Sequence, residues 1–394
     1  MKRIISLLIA VVTFLMLSST AFAVSEGKDR AETQKIFTDN QPDLGLNVKS
    51  AYLIEAESGA VLYSLNPHDQ ASPASVTKIM TLLLVCEALD DGSISLSDEV
   101  SISSYAASMG GSQVFLEEGE KMTVEELIKC TVIASANDAA VSLAETVSGS
   151  EKAFVSRMNA KAKELGLANT SFENTTGLDD TTENHYSCSK DIAIMSRELI
   201  KHDVILKYSG KWQDTIRNGE FTLTNTNRLV RYYDGCNGLK TGSTDKAGYC
   251  VSTTAKRGNM QLIAVVMGAE TRDERNNAAR ALLDYGFSSF SIQSFPREFL
   301  ESAEVLSGKS DTVSLYRDEV TFIIPRSSIN DVETEFDIPE VLNAPLSEGD
   351  VVGKVIYKVG DEQLFKADIR AGESVERIGF FDIFIEIIKK MILG

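Results

Sequence analysis

The 394-residue chain is long for one ordinary domain and ample for two, each with its own core. Hydrophobic residues make up 43% and charged residues 24%, a balance that excludes both a disordered chain and a polytopic membrane protein. A formal charge of -18, with only short basic pairs such as Lys389-Lys390, repels phosphate backbones and excludes nucleic acid as a partner.

At the start of the chain, Lys2-Arg3 precede an apolar run from Ile4 to Leu17, then Ser18-Ser19-Thr20 and Ala21-Phe22-Ala23. That order predicts a signal peptide over 1–23 and a mature chain beginning at Val24. The run is too short for a retained anchor helix and ends in small residues. Residues 24–44 are polar and aperiodic, which predicts a flexible spacer before a domain over 45–290.

Ala51 to Tyr63 reads as strand, Glu57-Ser58-Gly59 turn, strand, the hairpin that opens an antiparallel sheet. Apolar residues at helical spacing from Ser75 to Leu89 predict a buried helix that stops at Asp90-Asp91-Gly92. Further helices are predicted over Val124–Ile133, from near Asp138 to Val147, over 151–165 and over 190–203. A polar loop, Asn169 to Tyr186, separates the last two. Strands return at Leu239–Thr241, Gly248–Thr253 and Leu262–Met267, followed by a helix from Arg272 to Leu283.

Beyond residue 290 the texture changes to short alternating runs at Thr312–Tyr316, Val320–Pro325, Val352–Tyr357 and Leu364–Ile369. They predict a small all-β domain over 291–375. In the last segment, 376–394, Phe380 to Leu393 is apolar except for Asp382, Glu386, Lys389 and Lys390, which share one helix face. The stretch is too short and too interrupted to span a bilayer, so an amphipathic helix lying on a membrane surface is expected.

Five cysteines, an odd number without a CxxC pair, give neither a disulfide framework nor a metal site. Cys86 and Cys130 sit in apolar helical contexts as small hydrophobes, and Cys236 and Cys250 are the pair that a hairpin could bring together. No metal or cofactor is expected.

Three short motifs occur in order: Ser75-Val76-Thr77-Lys78, Ser135-Ala136-Asn137 and Lys240-Thr241-Gly242. Each alone is weak, but the ordered set is that of penicillin-recognising serine enzymes. Ser75 and Lys78, three apart at a helix start, project from one face and can hydrogen-bond. A serine hydroxyl needs a base, and a lysine desolvated among other cations can be neutral enough to serve. Lys78 is therefore the candidate base, and Ser75 at the first turn can offer its own N–H to a developing oxyanion. Ser135 and Asn137, on a loop between two helices, are candidates for relaying a proton to the leaving amine and for holding a substrate amide. Strand alternation sends Lys240 and Gly242 to one side and Thr241 to the other, which leaves open how the three share a role. Glycine there permits a substrate backbone along the strand edge.

Several longer runs carry a closer resemblance: Pro73 to Thr81, Ala134 to Ala140, Gly238 to Thr244, and Leu282 to Phe287. Across nearly the whole mature chain, the sequence resembles the D-alanyl-D-alanine carboxypeptidases among the low-molecular-mass penicillin-binding proteins. The resemblance implies an α+β fold: a penicillin-recognising serine transpeptidase/β-lactamase-like domain, its antiparallel sheet flanked by helices, then a small all-β domain and a C-terminal amphipathic helix. It implies that Ser75 forms an acyl-enzyme with the penultimate D-alanine of peptidoglycan stem peptides, releases the last, and is deacylated by water. β-Lactam antibiotics are implied as covalent inhibitors of the same serine. The N–H groups of Ser75 and Ser243 are implied as the oxyanion hole, with Lys240 and Thr241 at the substrate carboxylate. Arg275 stands where the family has a basic residue near that carboxylate, against the plainer reading of a helix-surface arginine. Asn174 to Asp180 resembles the loop that closes the lower edge of the site, and His185 beside it is assigned no role.

A class A β-lactamase shares the three motifs but needs Glu-x-x-x-Asn, and here Glu164 and Asn169 are five apart. Endopeptidase activity on cross-linked stems also fits the same motifs, whereas the intact motif residues weigh against the other alternative, a non-catalytic wall-binding protein that keeps the fold. The expected location is outside the cytoplasmic membrane, attached to its outer face.

Overall fold

A computed structural model describes residues 37–39, 41–180 and 182–393; the predicted signal peptide and residues 24–36 of the predicted spacer lie outside the described residues. The central sheet has five strands: β1 (Ser50–Glu55), β2 (Val61–Leu65), β3 (Cys236–Thr244), β4 (Gly248–Arg257) and β5 (Met260–Ala269). They run in the order β2-β1-β5-β4-β3 and every pair is antiparallel. β3 is thus an edge strand, with one row of backbone groups left unpaired by the sheet.

β5 shows why helices cover both faces. Leu262, Ala264 and Val266 point to one side and Ile263, Val265 and Met267 to the other, and all six are buried. On one face pack α1 (Lys78–Asp90), α2 (Val124–Ile133), α3 (Asn137–Ser148) and α4 (Ser189–Leu199); on the other packs α5 (Arg272–Ser289). α1 is apolar around most of its circumference, so it is a core helix enclosed by the others. Thr123 with Glu126, and Thr271 with Glu274, form capping boxes that fix where α2 and α5 begin.

Several elements depart from the sequence reading. The helix expected from Ser75 begins as a 3-10 turn, Ala74–Thr77, and becomes α-helical only at Lys78. The helix expected over 190–203 ends at Leu199, and a separate short helix spans Asp203–Ser209. The expected strands at Leu239–Thr241 and Leu262–Met267 extend to nine and ten residues. Within the predicted spacer, Phe37 packs edge-on against Phe290 and the Gln41 side chain donates to the Ser64 carbonyl, so that stretch is tied to the sheet. Cys236 lies opposite Ala255, while Cys250 lies opposite Gly242, so the two cysteines do not meet; all five are free thiols.

Beyond α5 the regular elements are strands until the last helix, apart from one 3-10 segment over Arg326–Asp331. Phe290–Phe295 pairs with Val320–Pro325, and a six-stranded sheet encloses a separate core that includes Val313, Leu315, Val355, Tyr357 and Ile369. A final helix, α6 (Phe380–Leu393), leaves Phe380, Phe381, Met391 and Ile392 three-quarters exposed or more. Among the described residues no helix is long and apolar enough to cross a membrane.

Candidate active site

Ser75 sits in the 3-10 turn that opens α1, preceded by Ala74 at φ 47. In a 3-10 turn residues three apart eclipse one another, which sets Lys78 directly below Ser75. Lys78 Nζ lies 3.0 Å from Ser75 Oγ and donates to Asn137 Oδ1 at 2.6 Å and to the Thr176 carbonyl at 2.8 Å. The lysine is fully buried. That burial, then the neighbouring charge of Lys240, holds its pKa well below the ordinary lysine range against the opposing pull of Asp138. A neutral amine has two N–H bonds and one lone pair. In that form, with both N–H bonds given to the Asn137 and Thr176 oxygens, the amine would present its lone pair to the Ser75 hydroxyl.

Ser135 occupies the junction between α2 and α3 with φ 64, a left-handed conformation that turns its hydroxyl into the cleft. Lys240 Nζ donates to that hydroxyl at 2.8 Å and to the Thr241 carbonyl at 2.8 Å. Burial, then the charge of Arg275, brings the Lys240 pKa down to about 7. Asn137 was expected on a loop and is instead the first residue of α3. Its Nδ2 donates to the Gly110 carbonyl at 2.7 Å, which fixes the amide with its oxygen toward Lys78. The next residue, Asp138, accepts from the backbone N–H of Val114 and Leu116 and so folds the loop over Asn137.

The alternation along β3 resolves the question left open for its three residues. Lys240 reaches Ser135, and Gly242 abuts the start of the nucleophile turn: a Cβ on it would lie 2.9 Å from the Pro73 carbonyl oxygen and from the Ser75 nitrogen. Thr241 faces the opposite way and donates to Thr226 Oγ1 at 2.8 Å. Ser243 is exposed at the end of the strand. Arg275 is not a surface arginine: it is 3% exposed, and its guanidinium donates to Asn276 Oδ1. Burial, then Arg272, lowers its pKa to about 10, which leaves it charged at neutral pH. The site therefore gathers a hydroxyl beside a buried amine, a second hydroxyl held by another lysine, and a buried positive charge. Such a set suits acyl transfer from a substrate that carries an anionic end.

Residues 35–271 match the sequence family described as D-alanyl-D-alanine carboxypeptidase, and 293–377 match the C-terminal domain of penicillin-binding protein 5. The chain belongs to the D-alanyl-D-alanine carboxypeptidase family.

It is 43% identical to the D-alanyl-D-alanine carboxypeptidase DacF of Bacillus subtilis (strain 168) over 387 residues, 96% of each chain. The D-alanyl-D-alanine carboxypeptidase DacC of Escherichia coli (strain K12) is 34% identical, with 85% of this chain and 86% of the relative covered. Among solved structures, penicillin-binding protein 5 of Haemophilus influenzae superposes with a TM-score of 0.76 at 31% identity, covering 86% of this chain and 99% of that one. Penicillin-binding protein D2 of Listeria monocytogenes, in its ampicillin-bound form, gives 0.58 at 33% identity, covering 63% and 100%. The expected carboxypeptidase family and its two-part fold are borne out, and these matches do not favour a β-lactamase, an endopeptidase or a non-catalytic wall-binding protein.

Three contributors to the site are not singled out by the sequence, although Thr176 and Asp179 lie in the loop, Asn174 to Asp180, that the resemblance puts at its lower edge. The Thr176 carbonyl that holds Lys78 is a backbone atom and leaves no residue signature. Thr226 and Asp179 lie in polar loops distant in sequence from the motifs they touch. His185, assigned no role, accepts from the Glu173 N–H through Nδ1 and bonds Thr77 Oγ1 through Nε2, tying the lower loop to the nucleophile turn.

Proposed function

We propose that the protein releases the terminal D-alanine from peptidoglycan stem peptides through an acyl-enzyme on Ser75. Neutral Lys78 takes the hydroxyl proton as Ser75 Oγ bonds to the carbonyl carbon of the penultimate D-alanine. The N–H groups of Ser75 and Ser243 hold the resulting oxyanion. The carbon–nitrogen bond then breaks as the proton that Lys78 took passes to the leaving amine by way of Ser135, whose hydroxyl is held by Lys240, and Lys78 is neutral again. Lys240 and Arg275 attract the terminal carboxylate, Asn137 holds a substrate amide, and Gly242 lets the peptide backbone approach the edge of β3. Water, activated in the same way, returns the serine.

The observation that carries this reading is the buried Lys78 amine, 3.0 Å from Ser75 Oγ and held in place by Asn137 and Thr176. A β-lactam presents a strained amide and a carboxylate to the same groups, and the ampicillin-bound Listeria relative supports that extension. Fluorescent penicillin is expected to label wild-type protein and not Ser75→Ala, and pentapeptide muropeptides to lose one alanine by mass spectrometry. Labelling of the variant would sink the assignment of Ser75.

The same reading places the enzyme outside the cytoplasmic membrane, with α6 lying in the membrane surface. Its support is the secretory pattern of residues 1–23 and the exposed apolar side chains of Phe380, Phe381, Ile383, Phe384, Ile387, Met391 and Ile392. A chain ending at Gly379 is expected to stay in the supernatant when the full chain sediments with anionic phospholipid vesicles. Equal sedimentation of the two would refute it.

A further inference from the structure

Asp179 has no part in the steps above, yet its Oδ2 accepts from Ser72 Oγ at 3.0 Å and from Thr244 Oγ1 at 2.5 Å. Ser72 is three residues before Ser75, and Thr244 directly follows Ser243. One carboxylate oxygen therefore joins the two segments that carry the proposed oxyanion donors. The Thr244 hydroxyl also accepts from the Ala247 N–H at 3.0 Å, so the bond to Asp179 is passed into the turn that closes β3 onto β4.

Each segment is anchored elsewhere as well. Ala71 and Ser187 exchange backbone bonds of 2.9 and 3.0 Å, and β3 is paired along its length with β4. Neither anchor bridges the gap between the two donor segments. Within the gap, Gly242 marks how little room there is, since a Cβ there would come within 2.9 Å of the Ser75 nitrogen. Two hydroxyls donating to one carboxylate oxygen make a charge-assisted clamp, firmer than a neutral pair.

We propose that Asp179 is a positioning residue for the oxyanion hole, fixing the separation of the Ser75 and Ser243 amides through Ser72 and Thr244. This rests on the reading of Ser75 as nucleophile and of those two amides as the oxyanion donors. Asp179 itself touches neither the substrate nor the reacting carbonyl. Oxyanion donors act over a narrow range of distance, and a displacement on the order of 1 Å costs roughly 100-fold.

The test uses the full chain as wild type, Asp179→Ala, Asp179→Asn, and the pair Ser72→Ala with Thr244→Val. The readouts are kcat and KM on a D-alanyl-D-alanine peptide and affinity for a peptide boronic acid, whose tetrahedral oxygen occupies the oxyanion hole. Asp179→Ala is expected to lower kcat and boronate affinity together by roughly 10- to 100-fold with KM within about twofold. Asp179→Asn, whose amide oxygen still accepts both hydroxyls, is expected to recover to within about threefold. The Ser72/Thr244 pair should show the Asp179→Ala loss, and adding Asp179→Ala to it should lower kcat no further. The hydroxyl pair decides the matter if Asp179→Ala does not fold. Wild-type kcat and boronate affinity in Asp179→Ala or in the hydroxyl pair, or no rescue by Asn, overturns the proposal. Ser75→Ala separates the two layers: if it still labels with penicillin the nucleophile reading fails, and if it is silent while Asp179→Ala behaves as wild type, only the role of Asp179 fails.

Discussion

Gly177 stands so close to Ala74 that a Cβ on the glycine would lie 1.8 Å from the Ala74 carbonyl oxygen. The neighbour is backbone and cannot swing away, and Gly177 also adopts φ +82. Gly177→Ala is therefore expected to push the loop off the nucleophile turn and carry the adjacent Thr176 carbonyl away from Lys78. Overpacking of this kind costs about 1–3 kcal/mol. Denaturant midpoints should fall accordingly and penicillin labelling should slow by about 100-fold. A variant that labels at the wild-type rate would show that the loop does not hold the lysine.

Replacing Lys78 by arginine puts a permanent charge where the amine works neutral and so removes the base, since a guanidinium does not lose its proton in a protein. General-base catalysis contributes about 100- to 10,000-fold, so Lys78→Arg should lose acylation by that order. Stopped-flow labelling with a chromogenic cephalosporin reads the rate. Retention of more than about a tenth of it would exclude Lys78 as the base.

The pH profile follows from two lysines that need opposite states. Lys78 works neutral, so activity rises as pH climbs through its depressed pKa. Lys240 works charged, so kcat/KM should fall as pH rises through about 7 in the free enzyme. A bound carboxylate favours the ammonium form and should move the alkaline limb of kcat upward. Because the two amines feel each other, the limbs belong to the pair. A kcat/KM that stays flat up to about pH 9 would contradict a depressed Lys240.

Burial pushes the His185 pKa from 6.5 down to about 4, so the folded state binds this proton less readily than the unfolded chain. Its contribution to stability is complete above pH 6.5 and is lost as pH falls toward 4, a loss of about 3 kcal/mol. Unfolding free energies measured across that window should show the decline, and His185→Gln should flatten it. An unchanged slope in the variant would assign the acid sensitivity elsewhere.

The chemistry was legible because it is written in contiguous runs: a serine three before a lysine at a helix start, and a lysine beside a small residue on a strand. The conformations that make those runs work were not. A hydrophobic pattern does not distinguish a 3-10 turn from the first turn of α1, yet the tighter turn aligns Ser75 with Lys78. Asn137 looked like loop because small and polar residues precede it, but the chain re-enters helix at that residue. Arg275 follows a capping box on a charged helix start, a pattern equally good for a surface arginine, and only the packing of α5 on the sheet buries it. Thr176 acts through its carbonyl, which any residue would supply.

Lys78, Lys240 and Arg275 are all nearly inaccessible to water, and among the described residues none of them has a carboxylate within ion-pair reach. Burying three basic groups without counter-charges, whether they stay charged or give up a proton to do so, weighs against folding. Apolar side chains of similar volume at these positions would pack the same space without that penalty. Selection for heat resistance alone would thus drift toward an inert protein of the same shape. In a lineage that no longer needed the activity, these three positions would be the first to erode, well before the strands and helices around them.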